Sequence, residues 1–355
     1  MKIVKYRTIL IFICLITLVV LFLQMKYIYK KRKFDSYVIA WSTVMPVRNY
    51  VFSSDISLLN CVNRGCKNQP IVTLFTTFKT DYSVGSEKLF VFNNTLYNWQ
   101  TFKPLAQLIV FTKTKTYATD QVNLSHWNLY PICSYYESGI PTIKEMHVHA
   151  KYLHNTPWHG YFNGDILLTD DFLETLEYIS SVSDTFRNAS ILITGRRINV
   201  LNVTSEEVRS KNGIKESARS RGSLYGIDAE DYFITNSLFP WSKIPEFVIG
   251  RDGYDNWIVG HARCDLETVV IDATETITAV HQTTSKGGNK EGFTNADKMY
   301  NIELMQRLGL PKRFLQGLTT CAEWRTFRTI QSKRIELVKR DDLHKNCKCK
   351  KWNAL

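Results

Sequence analysis

Apolar positions recur along this chain in two periods, and their order predicts an architecture. "IVTLFTTF" (Ile71–Phe78) is β-branched and aromatic, is bounded by Pro70 and a polar stretch, and reads as a buried strand. Leu89, Phe90, Phe92, Leu96, Tyr97 and Phe102 then recur at helical spacing, and "LAQLIVFT" (Leu105–Thr112) gives a second strand. "LYPICSYY" is a weaker third. A helix beginning near Pro141 places Ile143, Met146, Ala150 and Leu153 on one face. The strand "HGYF", an Asn-Gly-Asp, a helix capped by Thr169 or Asp170 and striped by Phe172, Leu173, Leu176 and Ile179, and the strand "ASILITG" complete the series. This alternation predicts an α/β domain with a mainly parallel sheet flanked by helices.

A different pattern precedes it. Thr8–Met25 is a run of eighteen uncharged residues, which at about 1.5 Å per residue gives a helix of roughly 27 Å, long enough to span a bilayer. "MKYIYKKRK" follows where a signal peptide would carry a small-x-small cleavage site, so an uncleaved signal anchor is expected. Counting Lys2, Lys5 and Arg7 before the span against Lys26, Lys30, Lys31, Arg32 and Lys33 after it would put the body in the cytoplasm. Four Asn-x-Ser/Thr sequons, at Asn93, Asn123, Asn188 and Asn202, and seven cysteines beyond the span favour a lumenal body instead. The expected order is a cytoplasmic tail (1–7), a transmembrane anchor (8–25), a stem (26–69), a catalytic domain (70–285) and a C-terminal extension with a basic tail (286–355).

Charge changes meaning once located. The net charge of +12 rests on the two ends: residues 34–332 hold 29 basic against 30 acidic side chains. A nearly neutral body argues against a nucleic-acid partner, and the basic ends suit anionic lipid or solvent. "CVNRGC" (Cys61, Cys66) suits a local disulfide, whereas "CKC" (Cys347, Cys349) cannot close on itself and calls for another segment or a free thiol.

Ligands of open α/β sheets sit beyond the carboxyl ends of the strands. Asn163-Gly164-Asp165 falls at such an end, where it reads either as an ordinary Asn-Gly turn or as oxygen ligands for a hard divalent cation. "GIDAEDYFI" sets Asp228 and Asp231 before an apolar run, "EFVIGRDGYDNWIVGHA" reads as a strand entering Gly250-Arg251 with Asp255 before a helix, and "VVIDATETITAVHQ" alternates as one strand ending at His281. Asp255 also reads as a cap of the helix starting near Asn256.

The order "YFNGDILL", "ILITGRR", "DYFI", "VIGRDGYDNWIV" and "VIDATETITAVHQ" resembles the nucleotide-diphospho-sugar glycosyltransferases of the GT-A fold, close to uncharacterised members similar to family 2. The resemblance runs from about Ile71 to Gln282. It implies that Asp165 is the last acid of an Asp-x-Asp metal motif, with Asn163 where the first Asp is common, and that His281 joins in binding metal or diphosphate. It implies that Asp255 deprotonates the acceptor hydroxyl in an inverting reaction, that Arg251 lies near the leaving diphosphate, and that Thr76 and Thr77 face the nucleotide. The implied cofactor is Mn²⁺ or Mg²⁺, and the implied partners are a nucleotide-sugar donor and a glycan or glycoprotein acceptor. With the anchor, this suggests a type II membrane protein of the Golgi or endoplasmic reticulum. Two alternatives stand beside it: a metal-dependent phosphotransferase or hydrolase using Asp228 and Asp231 for a second cation, and an inactive carbohydrate-binding protein of the same fold.

Overall fold

A computed structural model describes residues 69–77, 86–112, 126–131, 140–186, 189–284, 297–341 and 343–349. The expected anchor, most of the stem, the sequons at Asn123 and Asn188, and Cys61, Cys66 and Cys133 lie outside them. Among the described residues no helix is long and apolar enough to cross a membrane.

The strands are β1 (Val72–Thr77), β2 (Ala106–Thr112), β3 (Asn128–Pro131), β4 (Trp158–Phe162), β5 (Ile166–Leu168), β6 (Ile191–Thr194), β7 (Ile198–Leu201), β8 (Ser223–Leu224), β9 (Tyr232–Asn236), β10 (Val269–Asp272), β11 (Ala279–Thr283), β12 (Trp324–Arg328) and β13 (Ile335–Lys339). The helices are α1 (Glu87–Gln100), α2 (Ile143–Leu153), α3 (Asp171–Val182), α4 (Ser205–Arg209), α5 (Gly213–Arg221), α6 (Tyr254–Asp265) and α7 (Tyr300–Arg307).

Nine strands form one sheet in the order β13-β12-β10-β6-β9-β4-β1-β2-β3. The pairs β4–β1, β1–β2, β2–β3, β6–β10 and β10–β12 are parallel, while β9 runs antiparallel between β4 and β6. The expected mainly parallel sheet with flanking helices is therefore present. The chain beyond residue 286 belongs to the same sheet, because β12 pairs with β10 and β13 with β12.

Side chains alternate across this sheet as the strand period requires. Leu74, Leu108, Val110 and Phe162 pack with α1 and α3 through Trp99 and Phe172 on one face. Phe75, Ile109, Phe111 and Tyr161 pack with α2 and α6 through Met146 and Trp257 on the other. Both faces are covered, so the central strands read as continuous apolar runs. Gly160 lets β4 lie against its neighbours: an added Cβ would stand 3.2 Å from Phe162 and 3.3 Å from Ile234.

Two sequence expectations change. The run Glu246–Ile249 is not a strand and contributes an isolated bridge between Thr142 and Val248. "VVIDATETITAVHQ" is two strands in two sheets, because Asp272 Oδ1 accepts from Thr274 N at 2.9 Å and from its hydroxyl at 2.5 Å and turns the chain. After that turn β11 joins a second sheet of order β5-β11-β7-β8. His281 thus lies within β11, opposite Ile166 of β5.

The C-terminal segment is stitched down by Cys264–Cys349 and Cys321–Cys347. Each cysteine of "CKC" finds a separate segment, as its geometry demanded.

Candidate active site

The ends of three parallel strands and the start of β9 meet at one edge of the large sheet. β4 ends at Phe162 and leads into Asn163-Gly164-Asp165; β6 leads into Arg196-Arg197; β1 ends at Thr77; antiparallel β9 begins at Tyr232, paired with Phe162, which brings Asp231 to the same edge. This is the crevice position expected of a ligand site.

Asn163 is a hub of that edge. Its Oδ1 accepts from Tyr161 Oη at 2.8 Å, its Nδ2 donates to Asp231 Oδ1 at 2.6 Å, and its backbone N–H donates to Asp231 O at 3.0 Å. Arg197 Nη1 donates to Asp231 Oδ1 at 2.7 Å and Oδ2 at 2.6 Å, and the Arg197 guanidinium lies 4.2 Å from the centre of the Tyr225 ring. Arg197 and Asp231 are both buried. Burial raises the Asp231 carboxyl, and Arg197 and then His281 pull it back.

Asp165 is differently placed. Its Oδ2 lies 3.1 Å from His281 Nε2, while its Oδ1 is buried without a hydrogen-bond partner, as is His281 Nδ1. Burial pushes the Asp165 carboxyl up, but His281, through charge and hydrogen bond, and Arg197 outweigh it and the net shift is downward. A carboxylate held ionised with one oxygen unclaimed is a donor in need of a cation. Asp165 therefore fits Mg²⁺ or Mn²⁺, which take few protein ligands and complete their shell with water and substrate phosphate; His281 joins it only as a neutral imidazole through Nδ1, because its Nε2 faces Asp165 Oδ2. Asn163 presents no unclaimed oxygen to share in this. Among the described residues no group of three His, Cys, Asp or Glu converges to hold a metal unaided.

Gly164 allows the turn to close. A Cβ there would stand 2.7 Å from the Phe92 ring and 3.3 Å from Thr77 O, so the Asn-Gly-Asp segment packs on the end of β1. Thr76 is buried at that end with its hydroxyl unpartnered, whereas the Thr77 hydroxyl donates to Phe111 O at 2.8 Å and ties β1 to β2.

A second group of acids adjoins the first. Glu230 is buried; its Oε2 accepts from Asn256 Nδ2 at 2.9 Å and its Oε1 from the Thr319 hydroxyl at 3.1 Å. Burial, then the charge of Asp255, drives the Glu230 carboxyl well above its usual range. Asp255 stands in the first turn of α6, where Gly253, with φ of 83°, occupies the cap position. The cap reading of Asp255 thus fails, although its Oδ1 accepts from Asn256 N at 3.0 Å. Burial pushes the Asp255 carboxyl up to about 7, and the neighbouring charges of Asp231 and Asp228 add to the rise.

Of the seven residues proposed from sequence, Asn163, Asp165, His281, Thr76 and Thr77 meet at one edge, while Asp255 stands in α6 and is related to them by the charge of Asp231 acting on its carboxyl. Arg251 is committed elsewhere: Nη2 donates to Asp297 Oδ2 at 3.1 Å, and Nε approaches Asp297 Oδ1 at 2.8 Å as an ion pair without hydrogen-bond alignment. Arg197, Glu230 and Tyr161 escaped sequence reasoning. The signal for Arg197 was its place just past the end of the strand "ILIT"; nothing local marked its pairing with Asp231.

No family model matches the sequence, and no curated protein matches it. Among solved structures, a crystal structure of S. aureus TarS 1–349 is 14% identical, covers 38% of this chain and 37% of its own, and superposes with a TM-score of 0.25. A crystal structure of a mycobacterial protein is 9% identical, covers 82% of this chain and 89% of its own, and gives a TM-score of 0.35. With both TM-scores below 0.5, neither likeness bears on function.

Proposed function

We propose that this chain transfers a sugar from a nucleotide-diphosphate donor to a hydroxyl of a glycan or glycoprotein, with inversion, in a membrane-anchored, lumenally facing form in the Golgi or endoplasmic reticulum. The observation that carries the reading is the separation of two carboxylates by environment, one at the end of β4 and one in the first turn of α6. Asp165 is held ionised beside His281 with an oxygen to spare, while Asp255 is pushed up to about 7.

Transfer by single displacement needs both states. Asp165, joined by neutral His281, would hold the cation, and the cation would supply positive charge where the leaving diphosphate gains negative charge. Asp255, with a proton affinity near neutrality, accepts the proton of the acceptor hydroxyl as its oxygen attacks the anomeric carbon and the bond to the diphosphate breaks. Arg197 holds both oxygens of Asp231 and offsets part of the rise that burial imposes on its carboxyl. The orphaned Thr76 hydroxyl is the group we assign to the nucleotide. Arg251 has no part in this scheme, because Asp297 occupies its guanidinium.

A two-cation phosphotransferase is less well supported, because Arg197 and Asn163 occupy the oxygens of Asp231. The test is an array of nucleotide sugars given to the purified full chain in detergent with Mn²⁺, reading nucleoside diphosphate released. Turnover that disappears in Asp255→Asn and in Asp165→Ala supports the transferase. Sugar binding with no turnover of any donor would leave the inactive carbohydrate-binding reading.

A further inference from the structure

A cavity of about 290 Å³ opens between the first turns of α1 and the β7–α4 connection. It belongs to neither group of acids described above. Successive residues of β11 point to opposite faces: His281 turns toward Asp165, and Gln282 turns toward α1 and the cavity wall. Gln282 Oε1 accepts from Asn94 Nδ2 at 3.0 Å, and Gln282 Nε2 donates to Thr95 Oγ1 at 3.0 Å and to Val91 O at 3.1 Å. Its backbone N–H donates to Asp165 O at 3.1 Å. The wall of the cavity is thus bonded directly to the backbone of the strand-end acid.

The lining has a particular chemistry. Phe90 contributes an aromatic side chain that is 44% exposed although it sits in a helix. Glu87 and Glu206 contribute carboxylates, and Thr204 and Thr283 contribute hydroxyls; Asn202 also lines the cavity but, as the asparagine of a sequon, is left out of the recognition. Among the described lining residues there is no Lys or Arg. An aromatic face beside paired acceptors suits a ring that is apolar on its C–H face and carries hydroxyl donors around its edge. Two carboxylates without a cation repel phosphate, sulfate and carboxylate groups. The volume, about 290 Å³, falls just below the roughly 300–1,000 Å³ of small-molecule sites, so it suits a single ring and not a whole nucleotide sugar.

We propose that this cavity is a subsite for one uncharged sugar ring, stacked on Phe90 and held through its hydroxyls by Glu87 and Glu206. On the transferase reading above, that ring belongs to the acceptor glycan. The subsite gives the enzyme a preference for neutral over sialylated or sulfated acceptors.

Saturation-transfer NMR on the full chain in detergent, with no nucleotide present, tests this. The ligands are the methyl glycosides of glucose, galactose, mannose and N-acetylglucosamine, with a sialoside and a sulfated galactoside as anionic counterparts. At least one neutral glycoside should bind, and Phe90→Ala and Glu206→Gln should each weaken it about tenfold or more with the melting temperature unchanged. Asp165→Ala should leave it intact. Binding that survives both Phe90→Ala and Glu206→Gln, equal binding of the anionic glycosides, or no neutral glycoside bound at all would overturn the subsite. Loss of binding in Asp165→Ala would also overturn it by placing the sugar at the strand-end site. A glycoside bound through Phe90 by a chain that turns over no donor keeps the subsite and removes only the transfer reading.

Discussion

Asn163 Nδ2 donates to Asp231 Oδ1 at 2.6 Å, and that bond decides what the asparagine is for. A neutral residue where an acid is common looks like a weakened metal ligand. Here its amide satisfies two buried neighbours at once, Tyr161 on its oxygen and Asp231 on its nitrogen. Asn163→Asp, which would complete an Asp-x-Asp, sets one carboxylate against another and should cost about 1–3 kcal/mol without raising Mn²⁺ affinity. Thermal melting and calorimetric titration of Mn²⁺ check both halves. A stable variant with tighter Mn²⁺ would show that the asparagine does stand in for a ligand.

Asp165→Ala removes the unclaimed oxygen and should abolish Mn²⁺ binding in the same titration, along with donor turnover. Chelator should inhibit the wild type and added Mn²⁺ restore it. Full turnover in chelator would take the cation out of the mechanism.

Asp255 yields a prediction with a sign. A base must be deprotonated to act, and its carboxyl titrates at about 7, so transfer should rise with pH through neutrality and level off above it. Asp255→Asn keeps the Oδ1 that accepts from Asn256 N and should lose transfer by about a hundredfold or more. Because the folded value lies above the ordinary 3.8, ionising Asp255 disfavours the fold as pH climbs from the lower value to the upper. The Asn variant should therefore melt no lower than wild type at pH 8, and higher if anything. A variant that melts well below wild type there would make Asp255 structural.

Two buried histidines oppose the fold in acid. Burial lowers His159 to about 4 from an ordinary 6.5, and lowers His147, stacked on Trp241 with ring centres 3.6 Å apart, well below that value. Both are neutral when folded, so their contribution is complete above pH 6.5 and is lost as pH falls toward 4, where the unfolded chain takes up protons that the folded one refuses. For His159 alone this gap amounts to about 3 kcal/mol. Ionised Asp255 works in the opposite direction over the same range, so the test compares slopes: between pH 7 and pH 4.5 the urea midpoint of His159→Gln should fall less, or rise more, than that of wild type. An unchanged slope would place the acid sensitivity elsewhere.

The Arg197–Asp231 pair is buried on both sides. Arg197→Ala strands a carboxylate in a dry site, and about 3–5 kcal/mol of stability should go with it. Arg197→Ala with Asp231→Asn should recover part of the loss, which equilibrium denaturation of the double variant measures. No recovery would mean that the pairing itself contributes little.

The parallel core was legible because strands covered on both faces spell long apolar runs: "IVTLFTTF", "LAQLIVFT" and "ILIT" all fall on observed strands. The direction of β9 was not, since the period of a strand is the same in either sense. Nor was the break in "VVIDATETITAVHQ", which hangs on one aspartate gripping a threonine two residues on. At the site, Asn163, Asp165 and His281 stand at visible strand signals. Arg197 meets Asp231 only through a fold that joins positions 34 residues apart, and Arg251 sat in a conspicuous Gly-rich segment while its partner Asp297 lay far along the chain. Local pattern announces where the edge is; long-range pairing decides which charges remain available there.

The two disulfides carry a consequence for biosynthesis. α6 holds Asp255 in its first turn and Cys264 near its end, and Cys264 waits for Cys349, while Cys321 waits for Cys347. A chain emerges from the ribosome N-terminus first, so the helix bearing the proposed base can be locked only after every other described element has been made. Nascent or prematurely terminated products ending before Cys347 would carry Asp165 and Asp255 and neither crosslink.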